Sequence, residues 1–137
     1  VAILVHDIRE SFEDSPFFNH MGIEILHFEE NAVKIKLTIK EYVLNANGTL
    51  HGGVHATMLD YAQGMLLRSI TKTKCMTVNL STQYLAGISE GDIFAEAKVL
   101  QLGYKLAFLE GEIKDSTGRL LAKGTGTFKI IRDEEII

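Results

Sequence analysis

One stretch of this chain repeats its apolar residues at helical spacing for more than three turns, and most of the rest alternates like strand. Between residues 53 and 71, Val54, Met58, Tyr61, Ala62, Met65 and Leu66 recur at offsets of 0, 4, 7, 8, 11 and 12. That is the period of an α-helix with a broad apolar stripe. A helix this apolar needs cover on several sides, and in a chain of this length a curled sheet can supply it.

The flanking segments have the right pattern for such a sheet. Residues 23–28 and 32–39 read as a hairpin, with Val33, Ile35, Leu37 and Ile39 on one face and Lys34, Lys36 and Thr38 on the other. After the helix, extended runs follow at about 76–85, 92–102, 104–115 and 119–131, punctuated by Gly87, Gly91, Gly103 and Gly118. Ser116-Thr117-Gly118 reads as a tight hairpin turn. Ahead of the first hairpin, Ile3, Ile8 and Phe12 predict a short amphipathic helix that stops before Pro16, the only proline. Residues 133–137 read as a frayed tail. Short connections between the last strands favour antiparallel pairing. The expectation is an α+β fold in one domain spanning residues 1–137: an antiparallel sheet curled around one long central helix, with a short helix at the N-terminal end.

Composition excludes several function classes. Hydrophobic residues at 46% and charged residues at 23% are those of a globular chain, not a disordered one. No apolar run approaches the roughly 18 residues of a membrane span, so no crossing helix is expected. A formal net charge of −4 argues against a nucleic-acid partner, which needs a basic face. Cys75 is the single cysteine, so no internal disulfide can form, and no basic-then-apolar leader opens the sequence. A cytoplasmic location is the expectation.

Two local features can carry chemistry. The first is Asn45-Ala46-Asn47-Gly48-Thr49-Leu50-His51-Gly52-Gly53, which runs straight into the long helix. A helix start leaves backbone N–H groups without intrahelical partners and adds partial positive charge. Paired glycines there let a ligand oxygen approach those amides, as an oxyanion hole requires. Equally, Gly52 and Gly53 can be supplying turn geometry and nothing more. The second feature is Asp60 in mid-helix, where Asp has no capping use. It shares a stripe with Gly53, Ala56, Thr57 and Gly64, small residues that leave room beside its carboxylate. A solvated helical Asp is the plainer alternative.

Asp60 lies eight residues past Gly52, about 12 Å along a helix axis, and an Asp side chain reaches only a few ångströms. One helix therefore does not bring both groups to one reacting carbon. Two antiparallel helices about a two-fold axis do, with Asp60 of one subunit facing Gly52 of the other, so a homodimer is expected. On the strand after the helix, Thr77, Asn79, Ser81 and Gln83 alternate with Val78, Leu80 and Tyr84. This predicts one polar face, either lining a site or solvated.

Sharper motifs are missing. His51 and His55 stand four apart, but Gly52 occupies the place of a zinc protease's general-base Glu. His6, His20 and His27 offer no clear third ligand, so no metal is expected. There is no nucleophile elbow, phosphate loop or dinucleotide fingerprint. Cys75 has no neighbouring base in sequence and reads as a bystander.

The pattern Asn45…His51-Gly52-Gly53…Asp60, followed by a long helix and four strands, resembles the hotdog-fold acyl-CoA thioesterases. Among these it is most similar to the PaaI-like branch of the 4-hydroxybenzoyl-CoA thioesterase superfamily. Gly103-Tyr104-Lys105-Leu106-Ala107-Phe108 also matches that family after its penultimate turn. The resemblance implies that the Gly52 amide polarises the thioester carbonyl and that Gly53 permits close approach. It implies Asp60 as nucleophile or general base, Asn45 as a holder of nucleophile or water, and His51 as shaping the site. Thr77 falls where relatives carry a Ser or Thr near the attacking water. It further implies an acyl-CoA substrate, no cofactor beyond the coenzyme A of that substrate, and dimers paired into tetramers. Two alternatives stay open: a hotdog dehydratase or isomerase, which would use a His–acid pair, and a non-catalytic acyl-CoA binder or sensor.

Overall fold

The computed structural model describes residues 4–132. Along it run α1 (Val5–Glu13), α2 (Pro16–Met21), β1 (Ile23–Glu29), β2 (Ala32–Thr38), a 3-10 turn (Glu41–Val43), α3 (Gly52–Thr71), β3 (Cys75–Tyr84), β4 (Asp92–Leu102), β5 (Leu106–Asp115) and β6 (Leu120–Ile130). The strands form one antiparallel sheet of six, in the order β1-β2-β4-β5-β6-β3. The strand that follows α3 thus lies at one edge of the sheet, next to the last strand.

The long helix is covered as its apolar stripe requires. α3 packs against β2, β3, β4, β5 and β6, and Met58, Leu59, Ala62, Met65 and Leu67 are fully buried. Each buried Leu or Met contributes about 1.5–3 kcal/mol. This outweighs the roughly 1 kcal/mol that Gly64 costs inside a helix. Close approach of helix and sheet needs small residues on the strands beneath. A Cβ on Gly126 of β6 would stand 2.5 Å from Gln63 Oε1 and 2.7 Å from the Phe128 ring.

The turn expected at Ser116-Thr117-Gly118 forms, with Gly118 at φ 87°. Asp115 Oδ1 accepts from the Thr117 hydroxyl at 2.6 Å and from the backbone N–H groups of Thr117 and Arg119 at 2.9 and 3.0 Å. The Thr117 hydroxyl leads the causes that hold this carboxyl below its ordinary range.

The N-terminal region departs from expectation. In place of one short helix ending before Pro16 there are two, and Pro16 is the first residue of the second. Proline suits that position, because its missing N–H is one the helix would not have used. From α2, Phe18 is buried and meets Tyr61 of α3 edge-on at 5.2 Å. Ile3 and the expected tail at 133–137 lie outside the described residues.

β3 differs as well. Its pairing with β6 slips between Thr77 and Asn79, so the regular alternation in the sequence does not survive as a regular face. Thr77 pairs with buried Phe128, while Asn79, Ser81 and Gln83 pair with Thr127, Thr125 and Lys123. Thr77 therefore turns toward the helix and leaves the other three on the outer face. The expected single polar face is divided by one extra residue.

Candidate active site

The loop before α3 is built to deliver His51 and the glycines in a fixed pose. Asn45 Oδ1 accepts from the N–H groups of Asn47 and Thr49 at 2.9 and 3.1 Å, and its Nδ2 donates to Thr49 Oγ1 at 2.9 Å. Asn45 N–H donates to Thr49 O at 2.8 Å, closing the loop on itself. The side chain of Asn45 is thus engaged within its own turn. Leu50 N–H donates to Ile88 O at 2.7 Å and His51 N–H to Val43 O at 3.0 Å, tying the helix entrance to two other segments.

His51 is the N-cap of α3. Its Nδ1 accepts the Gly53 N–H at 2.8 Å, and its carbonyl accepts from Val54 N–H at 2.9 Å. An imidazole accepting through Nδ1 carries its proton on Nε2 when neutral. A Cβ on Gly53 would stand 3.0 Å from His51 Nδ1, so the glycine makes room for this cap. The glycine pair is therefore not equivalent. Gly53 gives its amide to His51, whereas the Gly52 amide finds no acceptor among the described residues.

Tyr84, the last residue of β3, lies over Gly52. A Cβ on Gly52 would meet its ring at 3.3 Å and its hydroxyl oxygen at 3.7 Å. The same ring meets His55 edge-on at a centroid distance of 6.0 Å. His55 is buried, its Nδ1 has no partner among the described residues, and burial holds its imidazole pKa below the ordinary value.

Asp60 stands at the other end of this arrangement. Its Oδ1 accepts from the Thr77 hydroxyl at 2.7 Å, so the β3 bulge brings together two residues singled out in the sequence. Cys75, nearby on β3, is pushed up to about 11, chiefly by burial, with Arg68 opposing and Asp60 adding to the shift. Its thiol stays protonated at neutral pH and is a poor nucleophile.

Within one chain, then, Asn45, His51, Gly52 and Gly53 gather at the start of α3, and Asp60 and Thr77 gather about two turns further on. Tyr84 and His55 join the first group without having been anticipated. Tyr84 reads in the sequence as an apolar strand residue, and its position seven after Thr77 acquires meaning only once the bulge sets the strand's phase. Among the described residues no three His, Cys, Asp or Glu side chains cluster as metal ligands would.

The sequence matches the Thioesterase superfamily over residues 47–122, a span of more than half the chain that holds His51, Gly52, Gly53, Asp60, Thr77 and Tyr84. This chain belongs to the thioesterase superfamily. A similar curated protein is "Putative esterase SSO1253" of Saccharolobus solfataricus, 29% identical over 130 residues, covering 94% of this chain and 87% of that one. Zebra fish thioesterase superfamily member 2 superposes with a TM-score of 0.82 at 25% identity, over 95% of this chain and 100% of that one. PaaI of E. coli, from the phenylacetic acid degradation operon, superposes with a TM-score of 0.86 at 19% identity, over 94% and 96% of the two chains. The fold of this thioesterase-superfamily chain is the hotdog fold. Family and relatives support thioester hydrolysis as its general activity.

Proposed function

We propose that this chain hydrolyses acyl-CoA thioesters to a carboxylic acid and coenzyme A, at sites shared between the two subunits of a homodimer. The observation that carries the reading is the division just described: an unclaimed amide at Gly52 and a Thr77-bound carboxylate at Asp60, on one helix but about 12 Å apart along its axis.

The edge strand supports the pairing. Among the described residues β3 has neighbours on one side only, and Met76 and Val78 are 60% and 61% exposed. An edge this open invites pairing with another strand. β3 carries Thr77 beside Asp60 near one end and Tyr84 beside Gly52 at the other. Antiparallel pairing of two such strands about a two-fold axis between residues 77 and 84 sets Asp60 of one subunit against Gly52 of the other. Two such dimers paired back to back would give the tetramer that the family resemblance implies.

In this reading the thioester carbonyl oxygen sits on the Gly52 amide, where positive partial charge is fixed before the oxyanion develops. Asp60 of the partner subunit attacks the carbonyl carbon, or takes a proton from a water that does. The C–S bond breaks, and the thiolate of coenzyme A leaves and is protonated; where Asp60 itself attacked, water then cleaves the acyl–Asp60 anhydride, so by either course water supplies the second acid oxygen and the carboxylate is regenerated. Thr77 orients the carboxylate by its hydroxyl, and Asn45 and His51 hold the loop that presents Gly52. No metal or redox group enters.

Incubation with a panel of aliphatic and aromatic acyl-CoA esters, read by a thiol reagent, tests this directly. Release of free thiol is the expected result. Saturable uptake of acyl-CoA without thiol release would make the chain a binder and overturn the assignment.

A further inference from the structure

We propose that the Tyr84 hydroxyl is a second hydrogen-bond donor to the thioester oxygen, beside the Gly52 amide of the same subunit; this rests on the acyl-thioester reading above. Because His51 takes the Gly53 amide, the helix start presents one amide at this point. A tetrahedral oxyanion is better stabilised by two donors aimed at it from the start.

The phenol stands where a second donor is needed. Its oxygen lies 3.7 Å from the Cβ position of Gly52, and a Cβ is about 2.5 Å from its own amide nitrogen. The hydroxyl is therefore at most about 6.2 Å from the Gly52 nitrogen, an upper bound close to the roughly 5.8 Å at which two donors can still share one oxygen at about 2.9 Å each. Glycine at 52 is what admits the ring, since a side chain there would press on it at 3.3 Å.

The surroundings fit the role. The Tyr84 hydroxyl is engaged by no acceptor among the described residues, and the side chain is 56% exposed on the open edge where the partner strand would pair. Its backbone is fixed all the same: Tyr84 pairs with Ala122, and the next residue, Leu85, donates its N–H to Leu121 O at 2.9 Å. Behind the ring sits His55, buried, its Nδ1 unpartnered, and held neutral by burial. That backing keeps solvent from one side of the phenol without adding a charge that would compete for the oxyanion. Tyr84 keeps its proton throughout and transfers none.

Tyr84→Phe tests this, because it removes one oxygen and leaves the ring over Gly52. Steady-state acyl-CoA hydrolysis by wild type, Tyr84→Phe and Asp60→Asn is compared, with circular dichroism as a check on folding. The expected result is a kcat about ten- to a hundredfold below wild type with KM little changed. A kcat within fivefold of wild type, or a loss confined to KM, overturns the donor role. Failure of the underlying reading looks different: wild type itself would then turn over no faster than Asp60→Asn.

Discussion

Asp60→Asn lowers kcat for acyl-CoA hydrolysis by about 10²- to 10⁴-fold, the range for loss of a nucleophile or general base. The change is nearly isosteric and acts on chemistry alone. An Asn side-chain oxygen still accepts from the Thr77 hydroxyl that now meets Asp60 Oδ1 at 2.7 Å, so the bulged start of β3 keeps its tie to α3. The amide can neither attack a carbonyl carbon nor take a proton from water. Substrate affinity and particle size by gel filtration should stay near wild type, because the exposed β3 edge is unaltered. Turnover within a few-fold of wild type would remove Asp60 from the mechanism.

Gly52→Val has an effect of similar size for a different reason. The donor in question is a backbone N–H, so it cannot be deleted, only obstructed. A β-branched side chain at Gly52 enters the space held by the Tyr84 ring, 3.3 Å from the new Cβ, and its methyl groups crowd the approach to the amide. Loss of one oxyanion donor costs about 10²- to 10³-fold in kcat. The fold should tolerate the change, since Gly52 opens α3 and has no left-handed φ that only glycine could hold. Gly52→Ala should fall between wild type and Val, because the Tyr84 ring is exposed enough to give way to one methyl. A fully active Val variant would mean that the carbonyl oxygen binds elsewhere.

What the sequence discloses and what it hides follow from range of interaction. The helix over residues 53–71 and the alternating segments are local patterns, so their existence and type are legible. Asp60 stands out because it departs from what a helix interior normally carries. His51 hides its function: histidine is not among the preferred N-cap residues, and only the folded loop shows its ring nitrogen on the Gly53 amide. The second helix hides behind Pro16, which ends one helical pattern and begins another with the same residue. The bulge in β3 leaves no mark in Thr77-Val78-Asn79-Leu80, because it arises from register with β6, some 50 residues away. Tyr84 is missed for the same reason.

The central claim is that each site takes Gly52 from one chain and Asp60 from the other, and subunit mixing tests it most directly. Differently tagged Asp60→Asn and Gly52→Val chains, each inactive alone, are co-expressed and the mixed dimers isolated by both tags. A mixed dimer then has one site with both lesions and one with neither, so it should recover about half of wild-type activity per dimer. Sites contained within single chains would leave every mixed dimer as inactive as its parents, and that result would contradict the shared site outright.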